Sequence, residues 1–253
     1  MAISISFNNK IALVTGGASG LGKSICLKLV KAGCKGIAIS DLNTEKAEEV
    51  IEEIENKGSK GFFIKSNACK EEDVKNVVSS IMNKWNTIDI LVNNVGVCYR
   101  GNIWDETEEQ FLKTININLY STFLFTKYVS QVMIEKKKGS IVSIASTAGI
   151  TGGTMGPGYA ASKGGIIALS KHAARTLAQY GIRVNVVAPG YMKTEMLSSV
   201  FKDKKQREER WSAIPIGRIA NPEEIANAVI FLLSDEASYI TGDVMLASGG
   251  RTS

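Results

Sequence analysis

An apolar run near the N-terminus, Lys10-Ile-Ala-Leu-Val-Thr15, stops abruptly in Thr15-Gly16-Gly17-Ala18-Ser19-Gly20-Leu21-Gly22. Hydrophobic residues resume at Ile25, Leu29 and Val30 with helical spacing. Few folds accommodate a buried strand that enters a glycine turn and leaves it as a helix. Glycines let the backbone bend sharply and approach a pyrophosphate, and the unpaired N–H groups and dipole of the helix favour negative charge there. A second apolar strand, Gly36-Ile-Ala-Ile-Ser40, ends at Asp41, nineteen residues after Gly22. A carboxylate at that place accepts hydrogen bonds from ribose hydroxyls and repels a 2′-phosphate. Asp41 has a second reading, as a helix cap before Asn43 and Thr44. Its place at a strand end favours the ribose.

The alternation continues along the chain. Strand-like runs are read at 10–15, 36–40, 61–65, 88–92, 139–145, 182–188 and 243–247. Between them Ala47, Val50, Ile51 and Ile54, and later Val74, Val77, Val78 and Ile81, recur at helical spacing. Asn221-Pro222-Glu223-Glu224 reads as a helix start, with a cap, a first-turn proline and an acidic third position. Strands alternating with helices specify right-handed crossovers and a parallel sheet covered on both faces. The 253 residues are usual for one α/β unit, and no repeat, low-complexity tract or linker divides them, so a single domain over 1–253 is expected.

Composition excludes several classes. No apolar run reaches the ~18 residues of a membrane span. The start, Met1-Ala-Ile-Ser-Ile-Ser-Phe7, has neither the basic region nor the apolar stretch of a signal peptide. Cys26, Cys34, Cys69 and Cys98 lack metal-ligand spacing, and the single histidine, His172, cannot build a metal site alone. Reduced thiols in a cytoplasm are expected. The net charge of +5 is dispersed, and Glu135-Lys-Lys-Lys138 reads as a solvated helix end. No nucleic-acid module is visible.

Tyr159-Ala-Ala-Ser-Lys163 places a phenol and an ammonium four residues apart, on one side of a helix expected from 157 onward. A phenol with a reference pKa of about 10 is a poor base near neutrality, and a nearby ammonium is expected to lower it. Thirteen residues before Tyr159 stands Ser146, whose hydroxyl can hydrogen-bond a substrate oxygen while the tyrosine moves its proton.

The TGxxxGxG turn, Asp41, Asn93-Asn94-Val95-Gly96, Asn118, Ser146, the YxxxK pair, Val187-Ala188-Pro189-Gly190 and Ile240-Thr241-Gly242 together resemble the short-chain dehydrogenase/reductase family over nearly the whole chain. The resemblance implies a Rossmann-like, doubly wound parallel sheet of about seven strands. It implies Tyr159 as acid/base, Lys163 as its modulator and ribose ligand, and Ser146 as the group orienting the substrate oxygen. Asn118 would hold a water linking Lys163 to solvent; Asn116 is a rival, but the pattern with Leu119 and Phe123 fits Asn118. Gly16, Ser19, Gly20, Leu21 and Gly22 would meet the pyrophosphate. Asp41 and Leu42 would meet the adenosine, and Asn67 with Ala68 the adenine, in place of the family's usual Asp-Val. Asn94, Val95 and Gly96 would lie beside the ribose, and Pro189, Gly190, Met192 and Thr194 at the carboxamide end. Neither Leu42 nor Gly17–Ser19 supplies a basic residue for a 2′-phosphate, so NAD is expected rather than NADP.

Three functions compete on these residues. The first is an NAD-dependent dehydrogenase of a secondary alcohol such as a polyol, sugar derivative or hydroxysteroid. The second is an NADPH-dependent reductase of 3-oxoacyl thioesters on an acyl carrier protein, against which Asp41 and Tyr180 speak. The third is a sensor or scaffold that lost catalysis; the presence of Ser146, Tyr159 and Lys163 argues against it. Substrate walls are expected from Val97–Tyr99, from Thr147–Gly158 and from a lid over 190–216, where Met192, Met196, Leu197 and Phe201 precede the charged Lys202–Arg210. Homotetramers are the family's usual assembly, pairing helices near 105–135 and 157–180 and the C-terminal strand.

Overall fold

Each apolar run is a strand in the computed structural model, which describes residues 5–195, 197 and 211–251. The strands are β1 (Ile11–Thr15), β2 (Gly36–Asp41), β3 (Lys60–Lys65), β4 (Ile90–Asn93), β5 (Gly139–Ile144), β6 (Ile182–Pro189) and β7 (Val244–Ala247). The expected bounds move by at most two residues. All pair in parallel, in the order β3-β2-β1-β4-β5-β6-β7. Every residue of β1 and β4 is buried. Sheets covered on both faces select such continuous apolar runs.

The two faces are legible in β1. Ala12 and Val14 pack with α1 (Gly20–Lys31), α2 (Thr44–Asn56) and α8 (Pro222–Leu233). Ile11 and Leu13 pack on the other face with α3 (Glu71–Trp85), α5 (Ser121–Lys136) and α7 (Pro157–Leu177). Fully buried Leu13, Ile25, Leu29, Ile81 and Leu124 each contribute roughly 1.5–3 kcal/mol from burial alone. Two shorter helices, α4 (Glu108–Ile115) and α6 (Ala148–Thr151), pack against α7.

Helix starts follow their local chemistry. Asn43, not Asp41, caps α2, accepting from the Lys46 N–H at 3.0 Å. At α8 the Glu224 carboxylate reaches back to the Asn221 N–H at 2.9 Å, and Pro222 opens the helix. Arg218 holds the same carboxylate at 2.7 Å, which depresses its pKa to about 2. The lysine cluster does end a helix, since α5 stops at Lys136 and Lys137 takes a left-handed φ of 52°.

Of the expected lid, Met196 and residues 198–210, including Phe201 and Lys202–Arg210, lie outside the described residues. Its described flanks form a small apolar cluster in which Met155, Leu197 and Trp211 pack on buried Tyr191, Ile214 and Ile219.

Candidate functional site

The strand order reverses beside β1: β2 and β3 continue on one side, β4 to β7 on the other. Crossovers diverge there, and a crevice opens at the C-terminal strand ends. A cleft of about 680 Å³ occupies it, lined by Gly16, Ser19, Gly20, Leu21, Asp41, Leu42, Asn67, Ala68, Asn94, Val95, Gly96, Ser146, Tyr159, Lys163, Pro189, Gly190, Met192 and Thr194. Apart from Ser146 these residues were read as cofactor contacts; Gly22, read with them, does not line the cleft.

At one end the glycine turn is built for close approach. Gly16 and Gly20 have positive φ, 64° and 52°. A Cβ on Gly22 would stand 2.0 Å from the Gly16 carbonyl oxygen, so α1 packs on its own turn only with glycine there. Asn94 staples this turn to the end of β4. Its Nδ2 donates to the Thr15 and Gly16 carbonyls at 3.1 and 2.9 Å, and its N–H donates to Thr15 Oγ1 at 3.0 Å. Both amide hydrogens are therefore spent on the fold. The Asp41 carboxylate is fixed on both oxygens, accepting from the Ala18 N–H at 3.1 Å and the Asn43 N–H at 3.0 Å. It stands at the cleft wall beside exposed Leu42. A groove running from a carboxylate, past a helix N-terminus, to a phenol and an amine fits an extended dinucleotide.

At the other end lie Ser146, Tyr159 and Lys163. Ser146 follows β5, and its Oγ accepts from the Ala148 N–H at 3.1 Å and hydrogen-bonds the Tyr159 phenol. Lys163 is nearly inaccessible; its Nζ donates to the Ile144 carbonyl at 2.8 Å and lies 5.7 Å from the Tyr159 ring centre. A Cβ on Gly149 would sit 2.5 Å from the Lys163 carbonyl carbon, so α6 presses directly on this turn of α7.

The expected lowering of the Tyr159 pKa does not appear in this state. Burial of the phenol, and less strongly the Cys98 thiol, push it up to about 12, opposed only by the Ser146 hydrogen bond. Burial lowers Lys163 to about 8. For both groups the loss of hydration on burial is the largest effect. Tyr159 thus carries its proton at neutral pH, as a donor.

Lys163 has a consequence for stability. Below pH 8 it is charged in both folded and unfolded chains, and the fold bears the desolvation cost. Between about 8 and 10.5 the folded amine is neutral while the unfolded one still binds a proton, so stability rises with pH across that window. The shift corresponds to about 3 kcal/mol, offset by about 1 kcal/mol for the hydrogen bond to Ile144. Lys163→Met should therefore melt higher than wild type at pH 7, with the gap closing towards pH 10. Parallel thermal melts check this; a gap independent of pH contradicts it.

Asn118 sits in a π-turn, Asn116–Tyr120, between α4 and α5. Its Oδ1 accepts from the Val97 N–H at 2.8 Å, while Nδ2 donates to the Val97 carbonyl and Ser162 Oγ, each at 3.0 Å. Asn116 is not in this network. A Cβ on Gly96 would lie 3.4 Å from both Asn118 Oδ1 and Lys163 Nζ, so that glycine keeps the space between them open.

Three supporting residues were not singled out in the sequence: Thr15, Ser162 and Glu106; Val97, expected as a substrate wall, also pairs with Asn118 through its backbone. Thr15 and Ser162 lie inside the motifs, next to Gly16 and Lys163, and adjacency was their only signal. Glu106 had none. Its Oε2 accepts from the Gly158 N–H at 2.6 Å, placing a carboxylate at the N-terminus of α7, one residue before Tyr159.

Beside Ser146 and Tyr159 a smaller pocket of about 80 Å³ is lined by Cys98, Thr147, Ala148, Gly153–Met155, Tyr191, Leu197 and Arg251, as well as by Gly190, Met192 and Thr194. Burial pushes the Cys98 thiol up to about 11, so it is a neutral wall. His172 lies exposed on α7.

A doubly wound sheet with a cleft at the point where its strand order reverses is the architecture of a dinucleotide-binding protein. Residues 16–252 match the family model described as enoyl-(acyl carrier protein) reductase. The chain is 39% identical over 241 residues to a 3-oxoacyl-[acyl-carrier-protein] reductase of Thermotoga maritima, covering 95% of this chain and 97% of that one. It is 37% identical over 252 residues to a cyclohexanol dehydrogenase of an Acinetobacter species, covering 99% and 98%. Among solved structures, levodione reductase superposes with a TM-score of 0.94 at 31% identity, covering 97% of this chain and 98% of the other. A short-chain type dehydrogenase/reductase from Mycobacterium marinum superposes with a TM-score of 0.92 at 29% identity, covering 98% and 97%. The chain belongs to the short-chain dehydrogenase/reductase family.

Proposed function

We propose that this chain is an NAD(H)-dependent enzyme that interconverts a secondary alcohol and its ketone, with Tyr159 as the acid/base. The observation that carries the cofactor choice is Asp41, a carboxylate locked by two backbone N–H groups where the adenosine ribose would lie. A dinucleotide held along Gly16–Gly22, Asp41 and Lys163 supplies the hydride donor or acceptor. In reduction the Tyr159 hydroxyl donates its proton to the carbonyl oxygen, and Ser146 Oγ hydrogen-bonds the same oxygen. Lys163 binds the ribose and restores the proton, and Asn118 uses its remaining Oδ1 lone pair to hold a relay water in the space Gly96 leaves. The whole of 1–253 serves as one catalytic domain, with 190–216 as its lid, in a cytoplasmic setting.

A second reading, reduction of 3-oxoacyl thioesters with NADPH, draws on the names of the 36–39% identical relatives. Absorbance at 340 nm separates the two. Turnover of secondary alcohols with NAD supports the first; turnover confined to 3-oxoacyl thioesters with NADPH supports the second.

The assembly reading is a homotetramer. Phe111, Leu112, Tyr120 and Phe123 are exposed along α4, the π-turn and α5, with the Tyr120 and Phe123 rings stacked at 6.1 Å, and Leu246 is exposed on β7. Monomers rarely leave many large apolar side chains uncovered on adjacent elements. Light scattering should give about four times the 27.3 kDa chain mass; a mass near one chain refutes the tetramer.

A further inference from the structure

We infer that the substrate of this site carries an anionic group, a carboxylate, received by Arg251. The inference rests on the alcohol/ketone reading above and specifies its substrate class: short oxo acids and hydroxy acids. Arg251 is the one charged side chain among the described residues lining the pocket next to Ser146 and Tyr159. Its guanidinium carbon lies 4.1 Å from the centroid of the buried Tyr191 ring, and the group makes no ion pair among the described residues. A guanidinium resting on an aromatic ring keeps N–H donors for a carboxylate.

The chain is shaped to bring it there. After β7 the backbone turns through Gly249 and Gly250, both with positive φ, 65° and 87°. Cβ atoms there would approach Ile216 Cγ2 to 2.7 Å and Pro215 Cβ to 3.0 Å, so other residues would push the turn off its seat. The Ile216 N–H donates to the Gly249 carbonyl at 3.1 Å, anchoring the return. The cation thereby faces a pocket whose other described polar side chains, Ser146 and Tyr159 and three threonines among them, are uncharged. A cavity of about 80 Å³ with one cation among its described lining residues suits a small anion.

The test pairs acids with their neutral isosteres. Reduction of 2-oxobutanoate and 3-oxobutanoate by NADH is compared with that of the two methyl esters, in wild type, Arg251→Met and Arg251→Lys. A charge-assisted contact changes such ratios about ten- to a hundredfold. At least one acid should exceed its ester in kcat/KM by that factor in wild type, the preference should vanish in Arg251→Met, and Arg251→Lys should keep part of it. Calorimetric titration with unreactive butanoate and methyl butanoate provides a second readout independent of turnover: butanoate should bind the wild type more tightly, and Arg251→Met should bind both alike. Equal treatment of acid and ester by wild type, or equal loss for both in Arg251→Met, overturns the inference. Reduction of esters but not acids does the same while leaving the ketone-reductase reading standing. If no ketone is reduced, that reading falls, and the titration still decides whether Arg251 receives an anion.

Discussion

Replacing Tyr159 with phenylalanine should lower kcat by at least the 10²–10⁴-fold that general acid catalysis typically supplies, with folding and nucleotide affinity retained. Only the phenolic oxygen is removed, and the ring keeps its place between Ser146 and Lys163. Because burial holds the phenol near 12, the wild-type enzyme is charged with its proton throughout the neutral range. Reduction should therefore stay flat with pH until the group that reloads the phenol titrates. With Lys163 near 8 in the ligand-free state, the alkaline limb should fall first there, since deprotonation removes the donor. Alcohol oxidation needs the opposite state of Tyr159 and should rise with pH over the same range. Steady-state kinetics with Tyr159→Phe, together with a binding titration of NADH, check the assignment; retention of most activity refutes it.

Wild type should prefer NAD over NADP by about a hundredfold in kcat/KM, and Asp41→Ala should remove most of that preference. A carboxylate about 5 Å from a phosphate charge costs about 3 kcal/mol at an effective dielectric of 20, before the lost ribose hydrogen bonds are counted. The cost cannot be relieved by a rotamer change, because Ala18 and Asn43 hold both carboxylate oxygens. Asp41→Asn should give an intermediate result, keeping an acceptor while dropping the charge. Comparable kcat/KM for the two cofactors in wild type contradicts this account.

The sheet was legible because parallel strands buried on both faces must be short continuous apolar runs, as Ile11–Thr15 and Ile90–Asn93 are. The cofactor groove was legible because glycine is the only residue that tolerates the close approach at Gly22. Less visible were features that depend on long-range contact. Glu106 meets α7 across a separation of 52 residues, and no local pattern marks that pairing. Spacing brought Tyr159 and Lys163 to one helix face, but the sign of the phenol's shift depends on how much water the finished cavity excludes, which spacing does not encode. The same limit hid the π-turn, which lies within the helices expected near 105–135.

That turn makes the position of Asn118 a matter of counting. In the π-turn the Ser121 N–H reaches back five residues to the Asn116 carbonyl, one more than an α-helix would span. Each residue of a helix turns the next by about 100°. Deleting Ile117 would let 108–136 close into one unbroken α-helix, a more regular object by every local measure, yet everything upstream would swing by that angle relative to α5. Helix α4 would then lose its present setting relative to Asn118 and α7. The irregularity works as a spacer: a single surplus residue sets how α4 and α5 face the rest of the molecule.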